Sequence, residues 1–180
     1  GREALSFIPC SFETLYVEWK PRNTGGGMVK VHRSPNILNE CTRNEKGQDV
    51  LKSGNLVVTT AYYYGLALVG EQRINCIIGM TSTQLKKSRQ WLGLMMGLKI
   101  QGKDGKFTPP MYSHIYNLET VPESNASGSW FGWKVTMRGM LTDASLIVEA
   151  THTAKRIASG QRAALPAPVD EPAGEDIPFA

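Results

Sequence analysis

Three observations predict a mainly β chain with two helices (α+β) and a disordered acidic tail. The first 80 residues are rich in alternating β-branched and aromatic side chains. Two later stretches, opening near residues 81 and 143, carry apolar residues at helical spacing behind capping residues. Beyond residue 164 the composition shifts to alanine, proline and acid. The chain has 180 residues, of which 41% are hydrophobic and 20% charged, so it can bury one ordinary core.

The elements follow in order. Leu5, Phe7 and Ile8 open an extended segment that passes Pro9 and runs to Trp19, with Leu15, Val17 and Trp19 on one face and Tyr16 on the other. Pro21 ends it, and Asn23 to Gly27 form a flexible turn before a returning strand, Met28 to His32. Residues 34–55 are polar and read as a long loop. Asn55 to Val69 is a strand, Glu71-Gln72 a hairpin tip, and Ile74 to Ile78 its partner. Thr81-Ser82-Thr83-Gln84 fits a capping box with Thr81 as N-cap; Leu85, Ser88, Leu92, Met95 and Met96 then share a helical face. Gly102 to Pro110 is a basic loop. Met111 to Val121 and Ser129 to Met140 form a hairpin across the turn-rich stretch 122–128. Thr142 or Asp143 caps a last helix with Leu146, Ile147, Ala150, Ala154 and Ile157 at helical spacing, and Gly160 stops it.

Antiparallel strands, a helix, a hairpin and a C-terminal helix match the plan of an OB-like antiparallel β-barrel, although a β-sandwich with appended helices has a similar order. Residues 1–164 are accordingly expected to form an OB-like nucleic-acid-binding domain and residues 165–180 a disordered protein-docking tail. The charges divide at the same place. The net charge of +4 combines a body of 20 basic and 12 acidic residues with a tail holding four acids and no Lys or Arg.

Several classes are disfavoured. No apolar run approaches the roughly 20 residues of a membrane span, and the N-terminus lacks a signal peptide's apolar core. The absence of an initial Met suggests a truncated or cleaved chain. Cys10, Cys41 and Cys76 are odd in number and widely spaced, which suits free buried thiols rather than disulfides or zinc. His32, His114 and His152 lie on three separate elements, and no nucleophile, phosphate-loop or metal motif is present. The expectation is a non-enzyme without cofactor or metal. Gly25-Gly26-Gly27 reads as a turn whose backbone could approach a phosphate.

Single strands are held by cations that track phosphates and by aromatic rings on which bases stack. Such residues interleave here. The candidate nucleic-acid contacts are Trp19, Lys20, Arg22, Lys86, Lys87, Tyr112, His114, Tyr116, Lys134 and Arg138. If Met111 and Ile115 point inward, Tyr112, His114 and Tyr116 form an exposed aromatic row. Each aromatic alone is more simply core, and the lysines a solvated helix face.

The tail ends Glu175-Asp176-Ile177-Pro178-Phe179-Ala180. These residues resemble the C-terminal tip of bacterial single-stranded DNA-binding proteins. The resemblance implies that Glu175, Asp176, Ile177, Pro178 and Phe179 dock replication or recombination proteins, Phe179 as anchor and the acids steering. In that family Phe is the last residue; Ala180 here displaces the terminal carboxylate that takes part in recognition. The body stretches Tyr16 to Arg22, Gly25 to Gly27, Thr81 to Thr83 and Gly128 to Trp133 are similar to a largely uncharacterised family of tailed-bacteriophage proteins suspected to act in DNA replication or recombination. Its members carry further N-terminal sequence. Together these imply binding of single-stranded DNA with little sequence preference, in the host cytoplasm and without a membrane. A homo-oligomer is left open, and so are two other functions: a non-enzymatic phage structural or assembly protein, and a metal-dependent nuclease or recombination enzyme.

Overall fold

Alternating side chains form the central strands here because one face of the sheet is covered by a helix. The structure, a computed structural model, describes residues 4–126 and 128–160. It is mainly β, with 52% of the described residues in strands of antiparallel sheet, and has two α-helices among them, as expected. Among the described residues the strands are β1 (Leu5–Trp19), β2 (Met28–His32), β3 (Cys41–Arg43), β4 (Asp49–Leu51), β5 (Leu56–Val69), β6 (Gln72–Thr81), β7 (Ile100–Gly102), β8 (Gly105–Phe107), β9 (His114–Asn125) and β10 (Gly128–Met140). The helices are α1 (Gln84–Gly97) and α2 (Ala144–Ala158). They divide into two compact units, one of residues 4–14 with 60–160 and one of residues 15–59. The long strands β1 and β5 each contribute to both.

In the first unit the strands run β10-β9-β1-β5, with β6 on β5. Ala61, Tyr63 and Ala67 of β5 share one face, as two-residue spacing requires. They pack with Phe7, Ile78, Met80, Tyr116 and Leu118 beneath Trp91 and Met95 of α1. Trp91 stacks on Tyr63 with ring centroids 4.1 Å apart and planes at 25°. It meets Phe7 and Tyr116 edge-on, at 6.1 and 5.4 Å. Tyr63 Oη donates to the Ser88 carbonyl at 2.8 Å, so its polar end is satisfied inside the core.

The inward face of α1 is Ser88, Trp91 and Met95; Leu85 and Leu92 flank it and Met96 is exposed. The expected stripe is therefore rotated, because the largest ring on the helix takes the space over Tyr63. The expected capping box does not form. Thr83 is the N-cap and makes no side-chain cap bond. Gln84 instead accepts from the Trp133 N–H at 2.9 Å and lies 3.5 Å from Glu123. Asp143 caps α2 as expected, accepting from the Ser145 and Leu146 N–H groups at 2.8 and 3.0 Å. These bonds, led by the Ser145 hydroxyl, hold its carboxyl below the ordinary aspartate range. Arg73 of β6 ties α2 down through Glu149 at 3.0 Å and Ser145 at 2.8 Å.

In the second unit β2 pairs with the end of β1, and β3 pairs with β4, which continues onto β5. The stretch expected as a long loop thus holds a 3-10 turn (Pro35–Glu40) and a short hairpin. Its turn, Asn44 to Gly47, is built by the Asn44 carboxamide accepting from the Lys46 and Gln48 N–H groups. The loop expected from residue 102 is in part the two-stranded β7–β8 hairpin, which begins at Ile100.

The three cysteines are free. Burial pushes the thiols of Cys10 and Cys76 up to about 12 and about 11, so neither is a ready nucleophile.

Candidate nucleic-acid interface

The conditional aromatic row is settled by the phase of β9. Met111, Tyr112 and Ser113 form a 3-10 turn, and the strand begins only at His114. From there His114, Tyr116 and Leu118 alternate inward, 6%, 0% and 1% exposed, while Ile115 is only half-buried. The expected exposed row is thus corrected: Tyr116 is core, His114 is buried, and Tyr112 is half-buried in the turn. The reason is the covering helix, whose Trp91 takes the Tyr116 ring edge-on.

Tyr116 Oη and Trp91 Nε1 have no hydrogen-bond partner among the described residues. A buried hydroxyl without a partner costs about 1–3 kcal/mol. Tyr116→Phe is therefore expected to raise stability by about 1 kcal/mol, read from the denaturant midpoint at unchanged slope.

His114 is held below the ordinary histidine range by burial, so the native state favours the neutral ring. Its Nδ1 lies 2.7 Å from Ser113 Oγ. An unfolded histidine titrates near 6.5, so His114 leaves stability intact above that pH and subtracts from it as pH falls towards the depressed native value. Denaturation of wild type and His114→Gln at pH about 7.5 and about 5 should show a smaller acid loss in the variant.

The cationic candidates fall in both units. Lys86 is exposed on α1. Lys87 forms an ion pair with Glu123, which also accepts from Trp130 Nε1 at 2.9 Å. Lys87 first, then Trp130 and Gln84, hold the Glu123 carboxyl below its usual range. Lys134 pairs with Glu119, its directly opposite neighbour across the hairpin, at 3.2 Å. Arg138 donates to Ser6 Oγ at 3.2 Å. Three candidate cations of the first unit are thus engaged with neighbours and separated along the hairpin and α1.

In the second unit Trp19, Lys20 and Arg22 lie at the end of β1 and in the turn that follows it. Trp19 is half-buried opposite Met28, where the β1–β2 register shifts. Lys20 and Arg22 are exposed, and the Lys20 N–H donates to the Gly27 carbonyl at 2.9 Å. Gly25, Gly26 and Gly27 all have positive φ, which only glycine adopts cheaply. The amides of Gly25 and Gly26 bond to the Arg22 and Pro21 carbonyls, so those two are spent within the turn.

Sequence reasoning missed two features. One is an open groove of about 460 Å³ lined by residues of the first turn, the β3–β4 hairpin and the start of β5, among them Pro21, Asn23, Lys46, Gln48 and Leu56. The Asn44-to-Gly47 turn signal was legible, but not what it would face. The other is Glu18, only 9% exposed. It accepts from Asn55 Nδ2 at 2.6 Å and lies 2.8 Å from His32 Nε2. Asn55 first, then His32, hold its carboxyl below the ordinary glutamate range. Partners 14 and 37 residues away leave no local signal.

Among the described residues no three His, Cys, Asp or Glu side chains come together as metal ligands. No helix among them is long and apolar enough to cross a membrane. The docking candidates Glu175, Asp176, Ile177, Pro178 and Phe179 lie outside the described residues.

No curated protein and no solved structure matches the chain. The model of one protein family, described as Pam3 phage gp34-like protein, matches residues 1–163. That span takes in almost the whole basic body, both helices and every strand, and so the chain belongs to the Pam3 phage gp34-like protein family of bacteriophage proteins.

Proposed function

We propose that this phage protein binds single-stranded DNA with little sequence preference during replication or recombination, as a non-enzyme whose acidic tail recruits partner proteins. The observation that carries the reading is the partition of charge. A body with 20 basic and 12 acidic residues is suited to a polyanion. The four-acid tail ends in Asp176-Ile177-Pro178-Phe179, whose ring suits an apolar pocket while proline limits the entropy lost on docking. With Tyr116 and His114 in the core, affinity falls mainly to lysine and arginine contacts with phosphates, and binding should weaken steeply with salt.

Titration with an oligothymidylate at low salt, followed by tryptophan fluorescence and gel retardation, tests the reading. Saturable binding supports it; no fluorescence change and no retardation overturn it. Deleting residues 165–180 should leave DNA affinity equal or higher, because the deleted charges are those that repel phosphate. A large loss of affinity contradicts the role given to the tail.

A second reading, a non-enzymatic assembly protein, is favoured by one observation. Phe131 on the hairpin is 74% exposed, an unusual position for a large ring. Salt-insensitive self-association without DNA affinity would select that reading.

A further inference from the structure

We infer that the DNA strand is held by the second unit, across the polar groove between the 21–24 turn and the β3–β4 hairpin. Lys20, Lys46 and Lys52 would take phosphates, and Asn23 and Gln48 a base edge. The inference rests on the reading above and says where on the protein it is carried out.

Charge density comes first. Residues 15–59 hold seven Lys or Arg and four acids, a net of +3 in 45 residues. The described part of the first unit, 111 residues, holds eleven and seven, a net of only +4. Ion pairs occur in both units, at Arg73, Lys87 and Lys134 of the first and at Arg43 of the second. In the second, Lys20, Lys46 and Lys52 are exposed and have no ion pair among the described residues. Glu18, an acid that would otherwise offset them, is mostly buried and turned to Asn55 and His32.

The groove supplies the shape. At about 460 Å³ it falls within the size range of small-ligand sites and is open to solvent. Lys46 lines it, and Lys20 and Lys52 each lie within two residues of the lining residues Pro21, Val50 and Gly54. Glu45 also lines it, so the lining itself is balanced, and the positive excess comes from Lys20 and Lys52, which lie near lining residues in sequence.

Two carboxamides give it hydrogen-bonding capacity. Asn44 is spent on its own turn, accepting from two amides and donating to Gln48 Oε1 at 2.9 Å. That bond orients the Gln48 carboxamide and leaves its Nε2 donors without a partner among the described residues. The Asn23 carboxamide likewise makes no bond among them. A carboxamide offers donor and acceptor side by side, which suits the unpaired edge of a base whatever its identity.

The test compares two charge-matched sets of substitutions in the full chain, using fluorescein-labelled oligothymidylate and anisotropy at about 50 and about 200 mM salt. Lys20→Gln/Lys46→Gln/Lys52→Gln should weaken binding about tenfold or more at the lower salt. It should also lower the slope of log affinity against log salt by about 2, at about 0.7 per lost phosphate contact. Arg89→Gln/Lys103→Gln/Lys106→Gln, in the first unit, should stay within about twofold of wild type. Asn23→Ala/Gln48→Ala should weaken binding with the salt slope unchanged. All six charge sites are exposed, so thermal melts should match wild type. If the first triple variant melts early, Lys46→Gln alone, with an expected loss of about threefold, carries the comparison. Equal effects from the two triples, or a larger one from the first-unit set, overturn the location and leave DNA binding standing. Absence of binding by the wild type overturns both.

Discussion

Gly65→Ala is expected to be among the most damaging single substitutions in the first unit, costing about 3 kcal/mol or more. β5 lies against β1 so closely that a Cβ at Gly65 would sit 2.1 Å from the Ile8 carbonyl oxygen and 2.8 Å from Cζ of Phe7. The ring could turn, but the carbonyl belongs to the backbone, and no rotamer change relieves that clash. The strands would have to separate at the centre of the sheet, where Phe7, Ile8 and Leu66 are all fully buried. Gly93 in α1 is the counter-example, since a Cβ there meets nothing within 4 Å. Gly93→Ala should stabilise by about 1 kcal/mol through helix propensity alone. Urea denaturation of both variants checks the pair; a Gly65→Ala protein of wild-type stability would refute the close approach.

Trp91→Ala should cost about 3–5 kcal/mol, a large part of the 5–15 kcal/mol that separates folded from unfolded domains. Trp91 is 2% exposed and touches three aromatic rings from three strands, Phe7, Tyr63 and Tyr116. Its removal opens a cavity in the middle of the core, and it deprives α1 of its main anchor, leaving Ser88 and Met95 as the other buried contacts. Trp91→Phe keeps a ring over Tyr63 and removes the unpartnered indole N–H, so its cost should be well under half that of alanine. Thermal unfolding followed by far-UV circular dichroism compares them. Equal losses from the two variants would mean that the stacking geometry, rather than the filled volume, carries the stability.

Legibility varied with the range of the interaction concerned. The Asp143 cap was readable because a side chain bonding to amides two and three residues ahead is wholly local. The Thr81 capping box is equally good as a local pattern, yet Gln84 is drawn to Trp133 and Glu123, 49 and 39 residues away. A carboxamide has one set of bonds to give, and the distant partners take it. Of the candidate contacts, Lys20 and Arg22 kept an exposed position because a turn excludes them from any core. Tyr116 and His114 lost theirs because β9 could face either way.

By itself the sequence determined the class, mainly β with two helices, together with the free cysteines and the division of charge between body and tail. Those follow from side-chain period, spacing and count, which survive any packing. Only the tertiary structure decided which face of β9 is inside, which ring anchors α1, and that Glu18 is turned to Asn55 and His32. A two-residue period leaves two phases of equal local merit, and the choice between them falls to whatever covers the sheet. Here that is Trp91, packed against Tyr63 and Tyr116 from positions 28 and 25 residues distant along the chain.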